Sequence, residues 1–348
     1  ELVPFLPGVA YAQRELGEAE GRSAVAEERN VFETVMRQAM ATEFVFTIYA
    51  RPGDSDTSEI LRIAEEAFAV VEDLEARISN WRPDSQTSYV NNHAAEMPVR
   101  VSVDLFDLIK ICKEFHRNTQ GVFDITVGPL LRLWGFYRGE GKLPSNKEIE
   151  ETLGVVGLDS VHLNPEERTV TFAKPGVLLD FGGIGKGLAL DRAAEVLRQY
   201  GVTRAILHAG TSTVVVIGTP PGQSGWTVRI RNPYNENEHI DEVVLVSASL
   251  STSGAYEKFF EIECKKYCHI FDPRTGRPVE GMLSASAIAP SGVESDALST
   301  SFFVLGEEGT RSYCRAHPGV GAILVPIAED GVPKPIRINL DSEREVQR

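Results

Sequence analysis

The chain has 348 residues, 42% of them hydrophobic, with 35 Lys plus Arg against 50 Asp plus Glu and a formal net charge of -15. That length suits one large domain or two ordinary ones, and the apolar share is that of a globular protein with a substantial core. The acidity argues against nucleic acid as a partner, and no apolar run approaches the roughly 20 residues that a membrane-spanning helix needs.

In chain order, the segment Leu2 to Gln13 is apolar and runs through Ala10-Tyr11-Ala12. It reads either as the end of a secretory signal cleaved after Ala12 or as a plain apolar N-terminus. The first reading puts the mature protein outside the cytoplasm, in the periplasm or attached at the outer face of the inner membrane. Residues 13 to 31 are rich in Glu, Ala and Arg and are expected to be a flexible lead-in. The folded body is expected from 32 to 339, followed by a charged tail at 340–348.

Within the body, Glu43 to Tyr49 reads as a strand. Asp56 or Thr57 then caps a long helix in which Ile60, Ala64, Ala67, Phe68, Val71 and Leu74 recur at helical spacing. Ser102 opens a second helix through Leu105, Leu108, Ile109 and Phe115, ended by Gly121. Ser145-Asn146-Lys147-Glu148 is a capping box for a third, short one. Strands are predicted at 169–173, 177–181, 205–208, 213–217, 226–230 and 243–248, with a helix over 186–200. A hairpin joins 259–264 to 267–271, a last helix runs near 296–305, and a strand at 322–325 closes the body. Antiparallel stretches with interspersed helices give an α+β fold and not a doubly wound parallel sheet.

None of Cys112, Cys264, Cys268 and Cys314 forms a C-x-x-C pair, so no zinc ribbon or thioredoxin motif is supported. A disulfide between Cys264 and Cys268, at the hairpin tip, is compatible with the pattern but not required by it.

Four segments could carry chemistry. Val177 to Gly187 runs from an apolar stretch through Asp180-Phe181-Gly182-Gly183-Ile184-Gly185 to Lys186 at a helix start. Such a turn can present backbone N–H groups to a phosphate. It is neither a Walker loop nor a dinucleotide fingerprint. A phosphate cradle and a tight strand-to-helix connection fit it equally. Asp296 and Thr300 stand one helical turn apart and offer hard oxygens suited to magnesium. Spacing alone favours a plain first helical turn, with Asp placed by the dipole and Thr bonded to its own i-4 carbonyl. His269 to Gly276 ends a strand in an Asp-Pro, Thr-Gly turn, with an imidazole just upstream. Asp124 lies among apolar residues in Gly121 to Leu130, so it caps or binds something.

Seven segments in order resemble the FAD:protein FMN transferases, the ApbE family. They are Met40 to Phe44, Ser79 to Ser85 reaching Asn91, Gly121 to Phe136, Leu179 to Asp191, Ser251 to Gly254, His269 to Gly276, and Asp296 to Thr300. The resemblance implies a T-fold-like architecture and an enzyme that cleaves the FAD pyrophosphate. FMN passes to a Thr or Ser hydroxyl of a target flavoprotein, and AMP leaves. Met40, Phe123, Asp124, Asp180, Lys186 and Ile270 would line the FAD site. Magnesium would take the Gly183 carbonyl, Asp296 and Thr300, and His269 would deprotonate the incoming hydroxyl. A membrane would be met only through an N-terminal anchor or a membrane-bound acceptor.

The sequence departs from the family pattern at Ala41, where Gly is usual, at His208-Ala209-Gly210-Thr211-Ser212, where Asn-Ala-Gly-Gly-Asp is usual, and at Cys264, where Gly is usual. These departures leave two alternatives beside transfer: a magnesium-dependent FAD pyrophosphatase releasing FMN and AMP, and an FAD-binding protein without turnover.

Overall fold

The computed structural model describes residues 31–50, 57–137, 139–328 and 330–340. The expected signal remnant, the lead-in up to residue 30, Asp56 and the tail beyond residue 340 lie outside the described residues.

Strands β1 (Phe32–Ala39) and β2 (Thr42–Tyr49) form a hairpin whose turn is Met40-Ala41. Both turn residues have positive φ, 50° and 58°, as the twist of a two-residue hairpin demands. Helix α1 (Ser58–Ile78) buries the face read from its spacing, including Ile60, Ala64, Ala67, Phe68, Val71 and Leu74. Its N-cap is Thr57, whose side chain makes no capping bond. The Phe68 ring stacks on Phe46 of β2 at 4.1 Å and fixes the helix on the sheet.

Helix α2 (Gln86–His93), capped by Ser85, was not legible in the sequence. After β3 (Val99–Arg100) comes α3 (Val103–Asn118), where Ser102 accepts the Leu105 N–H as expected. Helices α4 (Gly128–Leu133) and α5 (Asn146–Leu153) follow, the latter started by the Ser145–Glu148 capping box. Strands β4 (Val161–Asn164) and β5 (Thr169–Phe172) complete a small antiparallel sheet with β3.

Helix α6 (Gly185–Gln199) leads to β6 (Ala205–Ala209), β7 (Thr213–Ile217) and the hairpin β8 (Trp226–Asn232)–β9 (Asn235–Leu245). Next come β10 (Ser249–Gly254), the hairpin β11 (Phe259–Ile262)–β12 (Lys265–Cys268), and the short pair β13 (Phe271–Asp272)–β14 (Arg277–Pro278). The body closes with β15 (Met282–Ala289), α7 (Gly292–Ala316), β16 (Gly321–Pro326) and β17 (Ile336–Ile338). Eight of these strands make one sheet in the order β1-β2-β6-β7-β10-β15-β16-β17, each neighbour antiparallel. The α+β reading therefore holds. Alternation along the strands divides the core: Phe44, Phe46, Leu207 and Val215 face α1 and α6, while Val214, Val216 and Leu250 meet Trp226 and Ile230 of the β8–β9 hairpin.

Three expectations need correction. Residues 177–181 are not a strand. Val177, Leu179 and Phe181 alternate into the core as a strand's would, but the ladder partner is a side chain. Asn91 accepts the Leu179 N–H at 2.8 Å and donates to its carbonyl at 3.0 Å. The strand expected over 243–248 begins at Asn235 and stops at Leu245. The next strand, β10, escaped detection because its serines face a helix and not an apolar core. Finally, α7 begins at Gly292 and kinks at Gly306, where φ is 66°. Asp296 is therefore beyond the first turn, and the simple dipole account of it fails.

Candidate active site

The site forms where the N-terminus of α6 meets α7 and the ends of β7 and β10. Glycine sets the approach. A β-carbon on Gly187 would stand 1.9 Å from the Gly292 carbonyl oxygen, and one on Gly292 would stand 2.5 Å from that of Gly187. With both helices so close, their carboxylates cap each other. Asp296 Oδ2 on α7 accepts the Gly187 N–H of α6 at 2.9 Å. Asp191 on α6 accepts the Gly292 and Val293 N–H groups of α7 at 2.7 and 2.8 Å. Each acid satisfies donors that a helix start leaves open and sits in the favourable end of its dipole.

The other Asp296 oxygen takes hydroxyls. Ser251 donates to Oδ1 at 3.1 Å and Thr213 lies 3.4 Å from it. A carboxylate has about four acceptor positions, so these three contacts leave room for one more partner. One turn on, Thr300 Oγ1 is 3.1 Å from Ser253 Oγ, and a β-carbon on Gly183 would lie 3.4 Å from Thr300 Oγ1. Gly183 thus lies against Thr300, one helical turn beyond Asp296 on α7, and all three residues carry oxygens of the hard type. Among the described residues no group of three His, Cys, Asp or Glu gathers in a metal cage. A single carboxylate with neutral oxygens fits magnesium, which is usually held by one or two carboxylates and completed by substrate phosphates and water.

Lys186, half-buried in the first turn of α6, donates to Ser212 Oγ at 2.6 Å. Ser212 lies in the tight β6–β7 turn. Gly210 there has φ of 59°, its N–H bonds the Glu43 carbonyl at 2.7 Å, and a β-carbon would strike Thr42 Oγ1 at 2.4 Å. The β1–β2 hairpin and the β6–β7 turn are therefore neighbours, and Met40 in the hairpin's turn is partly buried against the main core.

Asp180 does not point freely at a ligand. Its Oδ2 accepts from Tyr137 at 2.6 Å and from Asn80 at 2.9 Å, and its Oδ1 accepts the Gly182 N–H at 2.8 Å. Burial and the Asp180 charge push the Tyr137 hydroxyl well above its ordinary pKa, so it stays a donor. Asn80, Tyr137 and the exposed Trp81 line a cleft of about 360 Å³ beside this carboxylate.

His269 is half-buried, next to the buried Ile270. Its Nδ1 and its backbone N–H both lie 3.1 Å from the Lys258 carbonyl. A carbonyl only accepts, so the ring proton sits on Nδ1 and Nε2 keeps its lone pair. Desolvation, aided by the positive charges of Lys258 and Lys186, lowers its pKa to about 4. The imidazole is neutral at neutral pH. The following turn is structural: Arg274 pairs with Asp272 at 2.8 Å, and the Gly276 carbonyl accepts from Trp134 Nε1 at 3.1 Å.

Asp124, expected to line the FAD site, is held by partners within the protein. Its side chain is 2% exposed, accepts the Thr126 N–H at 2.7 Å and the Leu158 N–H at 3.2 Å, and faces His116 at 3.4 Å. It staples two loops from inside, the capping half of the alternative left open by its apolar surroundings. Its neighbour Phe123 is the residue that reaches the site, with its ring 3.7 Å from where a Gly183 β-carbon would be. Sequence reasoning named the segments holding Asn91, Ser212 and Ser253 without giving those residues a role, and it did not single out Tyr137 or Thr213. The serines also alternate at 249, 251 and 253, as one face of a strand must. Cys264, exposed with φ of 62°, and Cys268, buried against the Ile270 and Val279 carbonyls, are both free thiols.

Comparison with known proteins gives a consistent result. The sequence model of the ApbE family matches residues 40–324. An FAD:protein FMN transferase of Haemophilus influenzae is 32% identical over 252 residues, 70% of this chain and 72% of that protein. One from Treponema pallidum is 31% identical over 283 residues, 77% of this chain and 78% of that protein. The crystal structure of an ApbE protein from Thermotoga maritima superposes with a TM-score of 0.79 at 31% identity, covering 88% of this chain and 97% of that one.

Proposed function

This chain belongs to the ApbE family, and we propose that it uses magnesium to transfer FMN from FAD to a Thr or Ser hydroxyl of an acceptor flavoprotein, releasing AMP. It is an enzyme of the FAD:protein FMN transferase class, the activity for which its curated relatives are named. The finer reading rests chiefly on one observation. Around the start of α6, Lys186 and the backbone offer positive potential, Asp296 bonds the Gly187 N–H, and Gly183 lies against Thr300, so oxygen donors stand beside that potential.

The pyrophosphate of FAD would lie along the α6 N-terminus, its oxygens bonded by Lys186 and the glycine turn. Bound magnesium would neutralise charge building on the phosphates. The acceptor oxygen bonds the FMN phosphorus as the bond to the AMP oxygen breaks, and the hydroxyl proton passes to His269 Nε2. A neutral imidazole with its other nitrogen fixed by Lys258 is ready for that role. Asp180, locked by Asn80 and Tyr137, holds the glycine turn in shape.

The reaction is proposed to occur outside the cytoplasm, on the strength of the segment ending at Ala12, which lies outside the described residues. Incubation with FAD, magnesium and an acceptor flavoprotein tests the whole reading. Flavin that stays on the acceptor through denaturing gel electrophoresis supports transfer. Free FMN alone would identify a pyrophosphatase, and unchanged FAD a binding protein.

A further inference from the structure

The eight-stranded sheet ends in two edges of different character. At one, β17 is three residues long, follows Pro333 and Pro335, and carries Arg337 bonded to Asp241 at 2.8 Å. Shortness, proline and charge are the usual defences of an edge against another strand. At the other, β1 runs eight residues without proline, and its register with β2 is unbroken.

The hydrogen-bond alternation fixes which groups of β1 are open. The Ala50 N–H bonds the Val31 carbonyl at 2.8 Å, so the odd-numbered residues of β1 carry the bonds to β2. Phe32, Thr34, Met36 and Gln38, all uncharged, turn their N–H and C=O groups outward. Among the described residues only the Met36 carbonyl has a partner there, the Arg37 guanidinium at 2.9 Å, and a carbonyl has a second lone pair. Apolar side chains flank the opening on both faces of the sheet. Phe32 and Met36 are exposed on the face away from α1. Leu61 is exposed on α1, one turn before Glu65, which pairs with Arg37.

Such an edge takes an extended strand, and β1 is complementary to itself. Let two copies pair antiparallel with Phe32 of one opposite Gln38 of the other. Thr34 then meets Met36, and every outward N–H and C=O finds a partner. The same register sets Glu33 opposite Arg37 twice, at the positions where facing side chains come closest. A shift of two residues either way loses both charge pairs and leaves one end of the edge unpaired.

We propose that β1 is a homodimerisation edge, joined antiparallel across a two-fold axis at Val35 so that one sheet continues through both copies. The two Met40-Ala41 turns then lie at opposite ends of the seam. The proposal is independent of the flavin chemistry.

Light scattering of the eluting full chain tests it and should give twice the mass of one chain, falling on dilution. Thr34→Pro removes an outward N–H and no bond to β2, and should weaken the dimer roughly tenfold or more. Glu33→Arg sets like charges face to face and should weaken it roughly tenfold, whereas Glu33→Arg combined with Arg37→Glu should recover it. Thermal melts establish that each variant folds. A monomer at every concentration up to roughly 100 μM overturns the proposal. So does a dimer that neither folded single variant weakens. If the variants do not fold, amide exchange on the wild type decides. The Phe32, Thr34, Met36 and Gln38 amides should be protected in concentrated protein and exchange faster on dilution. Exchange that ignores concentration overturns the dimer, whether fast, as at an open edge, or slow, as under another segment of the same chain.

Discussion

Asp191 and Asp296 cap each other's helices: the acid on α6 takes two N–H groups at the start of α7, and the acid on α7 takes one at the start of α6. The site is therefore built on a helix pair whose relative position is locked by the same carboxylate that is proposed to hold the metal. Asp296 has a structural and a functional task, and a substitution must separate them.

Asp296→Asn does so. The amide oxygen can still accept the Gly187 N–H, so stability should fall by no more than about 1 kcal/mol, the scale of a weakened cap. Magnesium-dependent turnover should be lost. Urea denaturation and a magnesium titration of turnover, run on the same preparation, check both. Asp296→Ala should lose the cap as well and unfold at lower urea. Full activity in either variant would remove Asp296 from the metal site.

His269→Ala should leave FAD affinity close to wild type and slow transfer by roughly 10²- to 10⁴-fold, the range of a lost general base. Because burial lowers the His269 pKa to about 4, the base is in its working, neutral form above that value. In the wild type, kcat/KM should hold through the mildly acid range and fall as pH drops through about 4. A steep loss of FAD binding in the variant would make His269 a ligand contact instead.

His208, buried in β6 with its pKa also lowered to about 4 by burial, has a different signature. The unfolded chain binds a proton near the ordinary value of about 6.5, and the folded chain resists it. Above 6.5 both states are neutral and the residue is silent. As pH falls from 6.5 to 4 the unfolded state gains the proton first, and stability drops by up to about 3 kcal/mol. His208→Asn, which restores the usual family residue, should flatten that part of the stability–pH curve measured by denaturant unfolding.

Ala41 occupies a left-handed turn position that costs an L residue on the order of 1 kcal/mol. Ala41→Gly should raise the melting temperature by about 2 °C after allowance for the freer unfolded chain. Calorimetry would show it, and a lower melting temperature would contradict the strain.

Much of this architecture was legible in the sequence wherever neighbours in the chain decide the outcome. The apolar stripe of α1, the Ser102 cap and the Ser145–Glu148 box are local devices, and all three formed as read. What could not be read depends on distant partners. Leu179 is laddered by the Asn91 side chain, so an alternating apolar run became an extended segment and no strand. The serines of β10 face α7, where polarity is satisfied by Ser295, Ser299 and Asp296 and not by water, so the strand carried no hydrophobic signal. Asp124 and Asp296 illustrate the limit best. Both are buried acids, yet one staples loops together and the other meets a row of hydroxyls. The difference lies in Leu158 for the first and in Gly187, Thr213 and Ser251 for the second.

The most direct measurement is the ratio of AMP released to flavin fixed covalently on the acceptor, followed over time with FAD and magnesium. Transfer predicts one AMP for each flavin attached and no free FMN. AMP accumulating with free FMN, and with an unmodified acceptor, would contradict it.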